Sequence, residues 1–222
     1  LGMEFGQWGA LRAGVIRGRV RATVDAGSLD LPQGIIDVGG LTSSLTIVRT
    51  DSPTIPHSGG DVLVQYYGSR RGFGGTEDYS KLSASGNQIF SIGRQSFLVG
   101  GALGTNLNTT LPLYDEFQLG GLLALGGFGV GQLHGQRAAL FRTGAYYRLY
   151  DLSADIGTGF YVGAFAEAGN AWPVGEHATI HNLHRSLTAI VGADTILGPI
   201  LLGYARAETG EDRFYFTIGK TF

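Results

Sequence analysis

The chain has 222 residues and a formal net charge of −2 at pH 7, so nothing in its electrostatics favours a nucleic-acid partner. It contains no cysteine, which excludes disulfides, thiolate metal sites and a cysteine nucleophile. Glycine is abundant, with 38 residues against 6 prolines, a combination typical of strongly curved strands rather than of linkers or collagen.

Polar and apolar residues alternate with a period of two along most of the chain, which predicts strands. No stretch approaches the roughly 18 to 20 consecutive apolar residues of a membrane helix. We predict about eleven strands. They are expected at residues 1–8, 10–24, 34–49, 60–71, 78–92, 95–106, 135–150, 159–170, 185–196, 199–208 and 212–222.

The connections between these strands alternate in length. Those at the turn side lie around residue 9 and at 51–60, 93–95, 151–158 and 197–199, whereas longer polar ones lie at 25–33, 72–78, 107–134 and 171–184. Short turns at one end and long loops at the other are typical of outer-membrane barrels. The fold class predicted is therefore all-β, a transmembrane antiparallel β-barrel, with residues 1–222 forming one domain.

Charged residues decide which face of such a barrel meets lipid. An arginine at the lipid face near the bilayer midplane costs roughly 2 to 4 kcal/mol. The first long strand places Arg17, Arg19 and Arg21 on one face, so these must line the lumen or lie at the rim. We assign six charges to the lumen: Arg17, Arg19, Arg21, Arg142, Arg148 and Glu167. A soluble lipocalin-like barrel, polar outside, is the alternative, although eleven strands exceed its usual eight.

The last strand carries an assembly motif. Phe214, Phe216, Ile218 and Phe222 share one parity. An alternating aromatic strand that ends in phenylalanine resembles the signal by which the barrel assembly machinery recognises outer-membrane proteins. The expected partners are therefore this machinery and outer-membrane lipid. Other aromatic residues are expected to form girdles at the membrane interfaces: Tyr66, Tyr147, Phe160, Tyr161, Trp172 and Tyr204.

A set of motifs, ordered along most of the chain, resembles the BamA/TamA superfamily of outer-membrane barrels. The motifs are Asp51–Gly59, Phe117–Phe128, Gly135-Gln136, Tyr146–Arg148, Phe165–Trp172, Asp194–Ile200 and Phe216–Phe222. The resemblance implies a barrel of about sixteen strands with a long loop folded into the lumen. Five strands follow that loop in the family and five are predicted here, so we expect this chain to supply the C-terminal part and the missing strands to lie before Leu1.

The loop departs from the family pattern at one position. Its motif residues are Phe117, Gly120, Gly121, Gly126, Gly127 and Phe128. The family usually has an arginine before the Gly-aromatic pair, which reaches an acidic residue on a later strand. Here Gly126 takes the place of the arginine, and Glu167 is the acidic residue. The loop must then be held by packing or by another cation, Arg142 or Arg148. Glu167 is either a paired buried charge or an anchor for the loop, and both roles are compatible.

The loop and the Glu-Ala-Gly-Asn-Ala-Trp motif most resemble the barrels of bacterial patatin-like phospholipases, which are type V autotransporters. The resemblance implies an N-terminal lipase domain, linked through a periplasmic domain, that the barrel anchors and translocates. A general assembly factor for outer-membrane proteins and a passive pore are the alternatives. Self-association into a homodimer is left open.

No catalytic chemistry is expected from the chain itself. It lacks the Gly-x-Ser-x-Gly motif that holds a patatin-type serine. His177, His181 and His184 are interpreted as residues of a solvated loop, because neither a carboxylate nor a cysteine completes a metal site. The glycines at 127, 129 and 131 do not form a dinucleotide fingerprint. We expect no cofactor and no metal, and any lipase activity would belong to the longer parent protein.

Overall fold

A computed structural model describes residues 1–22, 34–153, 157–196 and 198–219. In the described residues, eleven strands form one antiparallel sheet in chain order, and two further strands form a small separate hairpin. The strands are β1 (Gly2–Glu4), β2 (Gly9–Ala22), β3 (Gly34–Val48), β4 (Gly59–Ser69), β5 (Tyr79–Ile92), β6 (Gln95–Thr105), β7 (Phe117–Leu119), β8 (Leu133–Gly135), β9 (Arg137–Asp151), β10 (Gly157–Trp172), β11 (His184–Thr195), β12 (Gly198–Ala207) and β13 (Asp212–Ile218).

The predicted all-β fold and the eleven strands of the main sheet are confirmed. The long strands have 10 to 16 residues, enough to cross a bilayer at a tilt. The first strand is shorter than predicted, and the hairpin β7–β8 lies, except for Gly135, inside the segment predicted as loop. Within the described residues, no helix combines the length and the apolar character needed to cross a membrane.

The two ends of the sheet differ as predicted. At the turn end, the connections include residues 5–8 and 93–94; at the loop end, they include residues 106–136 and 173–183. We call residues 106–136 the long loop. The connection predicted at 25–33 lies outside the described residues.

The two faces of the sheet are defined by the long loop, which packs on the inner face. The strand registers place one residue of each successive strand side by side on this face: Asp61, Asn87, Gly100, Arg142 and Glu167. The opposite, outer face exposes large apolar side chains in these strands and in β11, including Leu103 (64% exposed), Phe141 (53%) and Leu187 (67%). Ionic groups inside and apolar groups outside are the arrangement of a barrel in lipid rather than of a soluble barrel.

Two of the charges assigned to the lumen lie elsewhere. The register of β2 with β3 places Arg17 and Arg19 on the outer face. Arg19 forms an ion pair with Asp37 (2.8 Å), with side chains 76% and 51% exposed. Because β4 ends at Ser69, these arginines lie where the β2–β3 hairpin extends beyond β4 at the loop end. The lumen assignment is therefore wrong for both, which lie on the outer face at the loop end of the sheet. The side chain of Arg21 lies outside the described residues.

One of the aromatic residues predicted for the girdles at the membrane interfaces lies on the inner face of the sheet. Tyr161 pairs with Arg148 on the inner face and is 1% exposed. Tyr147 and Phe160 are exposed, at 43% and 44%, as a girdle requires. The period of two shows which residues share a face, but it does not show which face is inside.

Candidate functional site

The long loop folds back onto the inner face and buries its tip, residues 122–128. Leu123 and Leu125 are 1% and 0% exposed, and Phe128 is 3% exposed. Both leucines adopt a left-handed backbone conformation, with φ of 59° and 72°. Such conformations cost about 1 to 3 kcal/mol each and persist only where the surroundings impose them. The packing against the sheet therefore determines the shape of the tip.

The base of the loop is fixed to the sheet by polar side chains. Gln136 is 5% exposed and exchanges hydrogen bonds with the backbone of Leu111, which donates at 2.7 Å and accepts at 2.9 Å. The carboxylate of Asp115 accepts a hydrogen bond from Tyr79 (2.7 Å) and is also paired with Lys81. The bonds of Gln136 join the two ends of the loop to each other, and those of Asp115 join the loop to β5, so the loop enters the lumen from a fixed base.

The remaining motif residues shape the approach to the tip. Gly120 and Gly121 have positive φ angles of 120° and 103°, which favour glycine. The ring of Phe117 lies over Gly104, where an added Cβ would be 2.6 Å from the ring. The chain thus reverses direction between β7 and the tip.

Glu167 of β10 holds the tip through its carboxylate. Its Oε2 accepts a hydrogen bond from the backbone N–H of Gly126 (2.6 Å), and its Oε1 accepts one from the hydroxyl of Thr188 (2.9 Å). The residue is 3% exposed. Among the described residues, no cation lies within 4 Å of this carboxylate. A buried carboxylate is therefore satisfied by hydrogen bonds, one of which comes from the loop.

The two arginines considered as substitute cations have other partners. Arg142 lies beside Glu167 on the inner face, but its guanidinium donates to Asn87 (2.7 and 3.1 Å) and to the carbonyl of Leu123 (2.9 Å). Arg148 also lies on the inner face, near the turn end, with its Nε 3.2 Å from Asp151. Arg142 thus helps to hold the tip directly, and Arg148 does not.

The glycine at the position of the family arginine matches this geometry. A Cβ added at Gly126 would lie 2.6 Å from the hydroxyl of Thr188, and one at Gly127 would lie 2.2 Å from the backbone nitrogen of Ala207. Real Cβ atoms do not approach other atoms so closely, so a side chain at either position would push the tip away from the wall. Glycine allows the backbone itself to reach Glu167, in place of a long cationic side chain.

The last strand contributes two residues that the sequence analysis missed. The hydroxyl of Tyr215 donates to the carbonyl of Gly126 (2.6 Å), and the guanidinium of Arg213 donates to that of Gly127 (3.2 Å). Both residues lie on the inner face, opposite in parity to the aromatic motif. The sequence contained a signal for these two residues, because the polar residues of the last strand alternate with its aromatic ones and therefore share the opposite face.

The aromatic motif itself lies on the outer face. Phe214, Phe216 and Ile218 are 83%, 64% and 62% exposed, whereas Phe222 lies outside the described residues. The last strand therefore has two separate faces. The outer one presents apolar groups to lipid, and the inner one binds the tip of the long loop.

Comparisons with known proteins agree with this geometry. Residues 40–222 match the sequence model of the Omp85 superfamily domain. A crystal structure of BamA from Haemophilus ducreyi lacking POTRA domains 1-3 is similar, with a TM-score of 0.75 and 13% sequence identity. The match covers 100% of this chain and 53% of that chain, so this chain spans about half of that length. At this identity the likeness shows the fold alone. No curated protein matches the sequence.

Proposed function

Because the chain belongs to the Omp85 superfamily, whose barrel fold implies an outer-membrane location, we propose that it anchors and translocates an attached N-terminal patatin-like lipase domain. The observation that supports this proposal is the direct bond between Gly126 and Glu167. It occurs where the sequence departs from the arginine pattern and resembles the barrels of patatin-like phospholipases. The lipase chemistry belongs to the attached domain, and the barrel supplies attachment and passage.

The bonds at the tip make a closure that can be released. The tip is held by hydrogen bonds from or to Arg142, Glu167, Ser186, Arg213 and Tyr215. Each such bond contributes about 0.5 to 3 kcal/mol net. These bonds join the tip to the wall and are not part of the ladders between strands, so the tip can leave while the strands stay paired. Movement of the tip is the step that would open a path along the inner face.

An assembly factor for other outer-membrane proteins is the second candidate. It is favoured by the likeness of the fold to that of BamA. A passive pore is disfavoured by the docked tip, and a steady open conductance in lipid bilayers would argue for it.

The full sequence of the parent protein separates the first two candidates. A Gly-x-Ser-x-Gly domain followed by one periplasmic module supports the lipase proposal, whereas several periplasmic modules without that motif support an assembly factor. The functional test measures phospholipase activity at the surface of intact cells that express the parent protein. We expect surface activity to disappear when the barrel is deleted and to persist in cell lysates. Activity that reaches the surface without the barrel would contradict the proposal.

A further inference from the structure

The connection between β3 and β4, residues 49–58, also enters the space on the inner face. Its Asp51 carboxylate accepts backbone hydrogen bonds from His57 (2.8 Å) and Ser58 (3.0 Å), and this closes the segment into a compact loop. Ile55, in the middle of that loop, is 2% exposed. The β5–β6 connection at the same end is a turn of only residues 93–94. Two neighbouring strands can therefore be joined at this end without a loop as long as residues 49–58. We call residues 51–58 the turn segment.

The turn segment reaches strands far along the sheet. The hydroxyl of Thr54 donates to Asp194 of β11 (3.0 Å). The hydroxyl of Tyr161, on β10, lies 3.2 Å from Nε2 of His57, and the hydroxyl of Tyr146, on β9, donates to the carbonyl of Pro56. These contacts join the β3–β4 connection to β9, β10 and β11 across the inner face. Pairing between neighbouring strands does not make such contacts, because β3 and β4 are not neighbours of β9, β10 or β11 in the sheet.

The same hydrophobic cluster contains the turn segment and the tip of the long loop. Ile55 comes from the turn end and Leu123 from the loop end, and both are buried with side chains of the sheet: Ile89, Leu98, Tyr146, Tyr161, Phe165, Ile190 and Leu201. Leu122 of the tip packs against this cluster. Its side chain occupies the space at Gly203, where an added Cβ would be 2.9 Å away. Removing apolar side chains from such a shared core weakens the packing of every member.

From these contacts we propose that the turn segment is a second plug, which closes the turn end of the lumen and positions the tip of the long loop. This inference rests on the proposed translocation function. The bonds to Asp194, Tyr161 and Tyr146 hold the segment in the lumen, and Ile55 completes the apolar site that receives Leu123. Release of the turn segment loosens the tip, so opening from the turn end is coupled to opening at the loop end.

Amide hydrogen exchange tests this coupling in the protein reconstituted in lipid vesicles. The variant Ile55→Ala is expected to speed exchange at the tip, residues 120–128, by about tenfold, because local opening follows the loss of buried contacts. The control is Ile180→Ala, the same substitution at an 81% exposed position of another connection, which should leave the tip unchanged. Amides of β5 report whether the whole sheet has been destabilised.

A milder variant keeps the test decisive if Ile55→Ala disturbs assembly. Thr54→Val keeps the side-chain size but removes the hydroxyl that donates to Asp194, and it should also speed exchange at the tip. Faster exchange confined to residues 51–58, or no change anywhere, would overturn the proposal. Coupled exchange together with a parent protein that transports no attached domain would instead leave this inference standing and refute the proposed function.

Discussion

Replacing Glu167 with alanine is expected to free the tip of the long loop while leaving the strands paired. The substitution removes the acceptor for the Gly126 N–H (2.6 Å) and leaves a buried donor without a partner. The bond to Thr188 joins two strands, so its loss does not bear on the tip. A hydrogen bond to a charged acceptor contributes about 1.5 to 3 kcal/mol, and we take about 2 to 3 kcal/mol for this buried one. The docked-to-free ratio of the tip should then fall roughly 30- to 140-fold.

The assay is amide exchange of residues 120–128 in lipid vesicles, combined with single-channel recordings. Exchange of the Gly126 amide should accelerate by the same factor, since exchange from a locally opened state follows its population. Brief conductance events should become more frequent. Glu167→Gln keeps one acceptor oxygen and should give an intermediate effect, and Glu176→Ala, which removes an exposed carboxylate from another connection, should have none. Unchanged tip exchange and conductance in Glu167→Ala would refute the role of this carboxylate as the anchor.

Three further outcomes are expected. Gly126→Ala should undock the tip, because its Cβ would lie 2.6 Å from Thr188, whereas Gly72→Ala, with no atom within 4 Å, should not; limited proteolysis of the loop distinguishes them. Leu202→Arg, on the outer face and 57% exposed, should lower the free energy of unfolding in vesicles by roughly 2 to 4 kcal/mol, and Thr209→Arg in a hairpin connection should not. Burial lowers the pKa of His57 below 6.5. The positive charge of Arg148 also lowers this pKa, whereas the negative charges of Asp51 and Asp194 partly oppose the shift. A histidine with a depressed pKa stabilises the docked turn segment fully above pH 6.5, and this contribution is lost as the pH falls below that value. The protection factors of residues 51–58, which correct the exchange rates for their intrinsic pH dependence, should therefore be lower at pH 5 than at pH 7.5, and His57→Gln should remove the difference.

The sequence predicted the strands and their order because successive side chains of a strand point to opposite faces of the sheet. When the two faces have different surroundings, polar and apolar residues alternate with a period of two. It also predicted the long loop, its glycine at position 126 and the acidic residue at position 167. What it could not supply was the distance between them. The backbone N–H of Gly126 donates directly to Glu167 because the tip lies very close to the wall of the sheet. Only the structure shows this close approach.

The sequence alone determined that the chain forms a series of about eleven antiparallel strands, because alternation, strand length and connection length are local properties. The tertiary structure alone decided which face is the lumen, as the positions of Arg17 and Tyr161 illustrate. It also decided which segments meet there. Tyr215, Gly126 and Ile55 are far apart in the chain, and only the curvature of the sheet brings the last strand, the long loop and the turn segment to one place. Contacts across a lumen depend on the sum of many strand registers, and no local pattern records that sum.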